Sequence, residues 1–305
     1  MMLLPKAFMF SATSLQDYVD CPRRFQLRYA LQVAWPAPEA EPISEREHHS
    51  RLARDFHQLV HQHLLGLPTE NLSASVHDPD LERWWKAYLS YVPNFGNARV
   101  VPEVGLSTPL AGYRLMAQYD AIVVSDQQAM LIVDWKTYRQ RPSRGWLAQR
   151  LQTRVYPVVL VQAGTSIANK PLSEDFDHPI EPDAIEMRYW LAEYSEDPES
   201  FRYDEAIYQA DLDYLVDLIT EIDERLGDVE HITRSSKGAA SDEIWPLTAD
   251  VRRCRYCNYR SLCERGDVAG PLVEYIDDGY SDSFRAGESE LDVDLDWGQV
   301  QEIVY

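Results

Sequence analysis

The sequence predicts an α/β fold in which helices precede, interrupt and follow a small sheet. Three observations carry that prediction. The apolar period changes from helical to alternating near residue 98, three short runs rich in β-branched and aromatic residues follow one another, and helical spacing returns after residue 144. At 305 residues with 45% hydrophobic content, the chain is long enough for one large domain or two small ones with a sizeable core.

Each element has its own local reason. "SATSLQDYVDCPRRFQLRYALQV" reads as helical, with Ser14 as N-cap, Asp17 three residues later, and Pro22 in the first turn of a second helix. After a Pro- and Glu-rich linker around 36–47, "SRLARDFHQLVHQHLLG" gives a further helical region ending at Gly66. "ARVVPEVGLSTPL", "YRLMAQYDAIVV" and "AMLIVDWKTY" are consecutive strands of an antiparallel meander, separated by turn-forming pieces such as "SDQQ". "GWLAQRLQTRVYPVVLVQAG" is a helix whose later part Pro157 ends or kinks, and "AIEMRYWLAEY" is another strand. An amphipathic helix over 204–231 then leads to a cysteine-bearing segment. The order is helix, three strands, helix, strand.

The formal net charge of -21 argues against a nucleic-acid partner when taken alone. Its distribution reverses that. Residues 271–305 hold many carboxylates against the single positive charge of Arg285, which reads as an acidic tail, either solubilising or imitating DNA. From Lys136 to Arg154 the chain carries Arg139, Arg141, Arg144, Arg150 and Arg154 with no acid among them, a local surface for phosphate. The opening "MMLLPKAFMF" is broken by Pro5 and Lys6, and no stretch approaches the length of a membrane span, so a cytoplasmic protein is expected.

Alternation along a strand puts Asp134 and Lys136 on one face, with Asp120 brought beside Asp134 by the turn between their strands. Two close carboxylates repel, and a divalent cation with hard oxygen ligands relieves the repulsion; Glu103 is a third candidate acid. Gln152 and Tyr156, four apart on the next helix, look back at the sheet edge, and His57 lies on an upstream helix. This set suits phosphodiester hydrolysis, in which a metal polarises the phosphate and a lysine orients the attacking water. A lone D-x-K is more often a solvated pair, and Trp84, Trp85 and Trp146 read as core or edge aromatics. The companions give the motif its weight.

Cys254, Cys257 and Cys263 form C-x2-C-x5-C, and the remaining cysteine is Cys21. In a cytoplasmic chain that pattern favours metal over disulfide. A distant thiolate joined to a tight triplet suits a four-cysteine iron–sulfur cluster better than zinc, the alternative.

Taken together these residues resemble the PD-(D/E)xK nuclease superfamily, in its RecB-like branch with an iron–sulfur cluster, which includes AddB-type and CRISPR-associated adaptation nucleases. The resemblance runs from about Ser11 to about Gly266. It implies a restriction-endonuclease-like core with added N- and C-terminal helices clipped by a [4Fe-4S] cluster on Cys21, Cys254, Cys257 and Cys263. His57, Asp120 and Asp134 would hold Mg2+ or Mn2+, with Glu103 as the further acid. Lys136 matches the D-x-K lysine, Gln152 and Tyr156 the Q-x-x-x-Y element, and Ala117 replaces the glycine of G-x-x-D. The implied organisation is an N-terminal helical region at 1–97, a nuclease core at 98–195, a C-terminal helical region at 196–270 and the acidic tail at 271–305. The implied activity is a metal-dependent exonuclease on single-stranded DNA or DNA ends, working in repair, recombination or CRISPR-type processing, with a helicase or other DNA-processing protein as the implied partner. The alternative is a catalytically idle iron–sulfur DNA-binding module.

Overall fold

A computed structural model describes residues 4–5, 7–35, 43–125, 129–168, 180–233, 244–255 and 257–266; the expected acidic tail lies outside them, as does most of the expected linker around 36–47. Its centre is a mixed sheet of six strands. β2 (Arg99–Leu110) and β3 (Tyr113–Val124) form a long antiparallel hairpin, closed by Ala111 and Gly112 at φ 47° and 81°. Positive φ at both central residues gives the turn the hand that matches the strand twist. β4 (Met130–Lys136) runs antiparallel to β3, β5 (Ile185–Leu191) parallel to β4, and β6 (Glu199–Arg202) antiparallel to β5. The meander and the fourth strand stand as the alternation predicts.

Two strands escape the sequence reading. β1 (Met9–Ser11) pairs parallel with Arg114–Met116 of β3, and β6 spells only "ESFR". Each is too short to show a period.

Two apolar layers cover the sheet. On one face lie α1 (Ala12–Asp20), α7 (Leu151–Ala163) and α9 (Glu205–Thr233), whose Leu15, Val155, Val159, Leu215 and Ile219 join Leu115, Tyr119, Ile132 and Met187. On the other, α3 (Ile43–Leu64) and α5 (Pro79–Tyr91) bring Phe56, Trp84, Trp85 and Tyr88 against Ala121, Val133, Trp135 and Trp190. Trp84 and Trp85 are thus core residues. The alternation of β3 changes phase at Asp120, since Leu115, Ala117 and Tyr119 belong to the first layer while Ala121 and Val123 belong to the second.

Local corrections have local causes. The N-cap of α1 is Ser11, and Ser14 is the third helical residue, closing a reciprocal capping box with it. Asp17 is a buried partner of Arg24 at 2.9 Å and Arg28 at 3.1 Å, so its role is tertiary. Pro22 does open a helix, α2 (Pro22–Phe25), where its missing N–H costs nothing. The single helix expected over 145–164 is two: α6 (Arg144–Gln149) and α7, separated by Arg150 at ψ 138°. Pro157 sits inside α7, and the break lies seven residues earlier than the proline would suggest.

Gly164 closes α7 where a Cβ would meet the Leu160 carbonyl oxygen at 2.5 Å and the Ile180 Cδ1 at 2.6 Å. Gly164→Ala is therefore expected to destabilise the fold by about 2 kcal/mol in urea unfolding through overpacking. Gly145→Ala, in α6 with nothing within 4 Å of the added methyl, is expected to be neutral or stabilising by up to ~1 kcal/mol. Equal midpoints for the two variants would contradict this packing.

Candidate active site and cysteine centre

The site grows from a fork in the sheet. The β3–β4 ladder ends at Ala121 and Val133, and β1 holds the same edge of β3 further back, at Arg114–Met116. Beyond Val133 the strands part, leaving the Trp135 N–H without a carbonyl across the gap. The Asp120 carboxylate supplies the acceptor, Trp135 N to Asp120 Oδ2 at 2.8 Å.

The other Asp120 oxygen faces α3, with Oδ1 3.4 Å from His57 Nδ1. On β2, Glu103 stands between the residues paired with Ala121 and Tyr119, so the register sets it opposite Asp120. Its φ of 47° departs from strand geometry, a conformation that costs a non-glycine residue roughly 1 kcal/mol or more. Ligand atoms of His57, Glu103 and Asp120 lie within 4.8 Å of one another. Two carboxylates and an imidazole on three separate elements form a donor set suited to a hard divalent cation.

Asp134 and Lys136 reach the same region from β4 and are buried, at 2% and 1% exposure. Lys136 Nζ lies 2.9 Å from Asp134 Oδ2 and donates to Gln152 Oε1 at 3.1 Å, while Gln152 Nε2 donates to Asp134 Oδ1 at 2.6 Å. The glutamine amide closes a three-membered ring of acid, lysine and amide. Its two ends are used in opposite senses, so the ring fixes their mutual orientation. Tyr156, one turn on along α7, packs on Tyr119 with ring centres 5.0 Å apart, and its carbonyl accepts the Tyr119 hydroxyl at 2.8 Å. Sequence reasoning thus selected residues that meet. It named His57, Asp120 and Asp134 as metal ligands with Glu103 as a further acid; the ligand atoms of His57, Glu103 and Asp120 lie within 4.8 Å of one another, and Asp134 is engaged by Lys136 and Gln152.

The arginines divide. Arg141 and Arg144 both hold Glu199 of β6, at 2.7 and 3.0 Å, and Arg144 covers the Phe201 ring at 4.4 Å. Burial alone would raise the Glu199 pKa, but those guanidinium hydrogen bonds outweigh it and lower the value. Arg154 pairs with Asp211 at 2.6 Å, so the acid-free run in sequence meets acids from β6 and α9 in space. Arg150 lies over Trp146 at 4.9 Å, and both line an open groove with Arg154, Tyr214, Arg252 and Arg253. Tyr194 donates to the Arg139 carbonyl at 3.4 Å, on the chain just after β4.

The four cysteines are free thiols that line one hollow, together with Arg24, Arg253 and Arg260. The chain brings residue 21 to the C-terminal triplet through side chains on both sides: Tyr259 donates to the Val33 carbonyl at 3.1 Å, Trp35 to Ser261 Oγ at 2.9 Å, and Arg253 pairs with Asp20. Burial raises the thiol pKa values of Cys254 and Cys263 and pushes that of Cys257 up to about 11. Four thiols on one hollow are a soft donor set, which a thiophilic metal centre would hold as thiolates against that desolvation. The donors therefore fit either a four-cysteine cluster or zinc.

The chain belongs to the PD-(D/E)XK nuclease superfamily, whose sequence model matches residues 9–264. That span contains both the fork and the cysteine hollow. Among solved structures, SSO0001 is 13% identical with a TM-score of 0.37, covering 86% of this chain and 88% of its own. A protein from Eubacterium rectale titled "Putative exonuclease" is 9% identical with a TM-score of 0.41, covering 73% of this chain and 82% of its own. No curated protein sequence matches the chain.

Calorimetric titration with Mn2+ tests the trio. Asp120→Asn and Glu103→Gln are each expected to weaken binding by about tenfold or more, as loss of a charged oxygen ligand should. Affinity equal to the wild type in both variants would move the cation elsewhere.

Proposed function

We propose that the chain is a metal-dependent deoxyribonuclease of the RecB-like branch, acting as an exonuclease on single-stranded DNA or frayed ends. The observation that carries this reading is the fork: the His57, Glu103 and Asp120 trio within 4.8 Å lies beside the buried Asp134–Lys136–Gln152 ring. A pure binding module gains nothing from carboxylates assembled at such a distance.

His57, Glu103, Asp120 and Asp134 would hold Mg2+ or Mn2+. When bound, the cation neutralises phosphate charge and lowers the pKa of a coordinated water. The remaining work belongs to the chain. Asp134 and Gln152 hold the Lys136 ammonium in one place, where it orients the attacking water or meets charge developing on phosphate. Gln152 keeps that ammonium and the Asp134 carboxylate aligned, and Tyr156 positions the strand. Arg139, Arg141, Arg144, Arg150 and Arg154 contribute phosphate contacts, with Trp146 and Tyr214 as faces on which bases can stack in the groove.

Cys21, Cys254, Cys257 and Cys263 would carry a [4Fe-4S] cluster, with zinc as the other candidate. Their role is architectural, fastening the N-terminal helices to the chain's C-terminal part so that 1–97, 98–195 and 196–270 act as one body. No helix among the described residues is long and apolar enough to cross a membrane. Repair, recombination or CRISPR-type processing, with a helicase opening the duplex, would provide such ends.

End-labelled DNA with Mn2+ and anaerobically purified protein tests the activity. Wild type is expected to degrade the strand progressively from an end, while Asp134→Ala and Lys136→Ala lose at least about two orders of magnitude in rate. Binding without cutting by the wild type would support the idle module instead. Iron and sulfide in the purified protein, lost in Cys257→Ser, are the expected metal analysis; stoichiometric zinc would replace the cluster in this reading.

A further inference from the structure

We propose that Gln16 is a positioning residue for the active site. Its side chain fixes the start of α7, and with it Gln152, relative to the segment that carries the cysteines. The proposal rests on the reading of Asp134, Lys136 and Gln152 as the nuclease centre.

The first N–H groups of a helix have no partner within it and need one from outside. The residue that should cap α7 is Arg150, which makes no side-chain cap hydrogen bond. A residue from α1 does so in its place. The Leu151 N–H, first in α7, donates to Gln16 Oε1 at 3.1 Å, a buried bond across 135 residues of sequence. Gln152, the next residue, is the one whose amide holds both Asp134 and Lys136.

The other end of the Gln16 amide is also committed. Gln16 Nε2 donates to Asp20 Oδ1 at 2.9 Å, and Asp20 further accepts Arg24 Nη2 at 2.8 Å and pairs with Arg253. Rotating the amide by half a turn would set donor against donor and acceptor against acceptor, so its orientation is determined by its partners. Asp20 precedes Cys21 and Arg253 precedes Cys254, and both arginines border the cysteine hollow. One side chain therefore joins two assemblies: a carboxylate with two arginines beside the thiols, and the helix start beside the lysine. A change in the cysteine segment that displaced Arg253 and Asp20 would free the Gln16 amide, and the Leu151 N–H would lose the acceptor that sets its position.

Gln16→Met, of similar length but without donor or acceptor, tests this in the full chain. The expected result is a kcat reduced roughly ten- to hundredfold, because small misplacements at a reacting centre are costly, with KM for DNA nearly unchanged. Gln16→Glu keeps an acceptor for Leu151 but sets a carboxylate against the buried Asp20, so it is expected to recover the rate only in part. Amide exchange supplies a reading independent of turnover: protection is expected to fall in the peptide covering 147–156 in Gln16→Met, to return in part in Gln16→Glu, and to fall in the same peptide when a chelator strips the cysteine-held metal from the wild type. Full kcat in Gln16→Met, alongside an inactive Lys136→Ala, overturns the proposal. So does exchange that rises throughout α1, α7 and α9, since that marks general destabilisation. If the wild type cuts nothing, the nuclease reading fails, and the exchange pattern still decides whether Gln16 governs the start of α7.

Discussion

The site depends on one substitution in a hydrogen-bond ladder: a carboxylate where a strand carbonyl would be. By taking the Trp135 N–H at 2.8 Å, Asp120 lets β3 and β4 separate without leaving a buried donor unpaired. The separation has two consequences. It opens an edge into which side chains from both layers can reach, His57 from α3 on one side and Gln152 from α7 on the other. It also changes the phase of β3 at Asp120, so the strand feeds one core before that residue and the other after it. The fork and the two-layer architecture are one feature.

Burying Asp134 and Lys136 at the mouth of this fork is costly unless both are fully engaged. The Gln152 amide meets that requirement for both at once. This ties α7 to the sheet through polar contacts in addition to the apolar packing of Val155, Val158 and Val159. It also means that the lysine cannot be removed cleanly. Lys136→Ala leaves Asp134 buried with a single neutral donor from that ring, so a loss of rate must be read beside a stability measurement.

The fold and the site were legible in the sequence to different depths. The meander, the fourth strand and the spacing of Asp120, Asp134, Lys136, Gln152 and Tyr156 follow from alternation and helical period, because side-chain direction is set locally. Glu103 completes the tight trio with His57 and Asp120. Its distinguishing mark is a positive φ, which one-dimensional pattern does not reveal for a glutamate. β1 and β6 stay hidden because strands of three or four residues exist through their neighbours. The acids that answer the arginines, Glu199 and Asp211, lie 45 or more residues beyond the run they neutralise, so the run reads as more basic in sequence than it is in space. The break at Arg150 was hidden by the conspicuous Pro157; a proline inside a helix draws attention, while an extended arginine carries no compositional signal.

The strong net acidity then takes a specific physical meaning. Counterion release requires cations that a phosphate backbone can reach, and most arginines near the fork already hold carboxylates. For DNA to bind, phosphates must compete with Glu199 and Asp211 for Arg141, Arg144 and Arg154, which makes the affinity a difference between two similar electrostatic terms. Breaking those pairs returns cations to the freed carboxylates, so the net counterion release, and with it the salt dependence, is smaller than the number of phosphate contacts alone would give. The rings of Trp146 and Tyr214 take part in the same competition, since Arg150 lies over the first at 4.9 Å and Arg154 over the second at 4.7 Å.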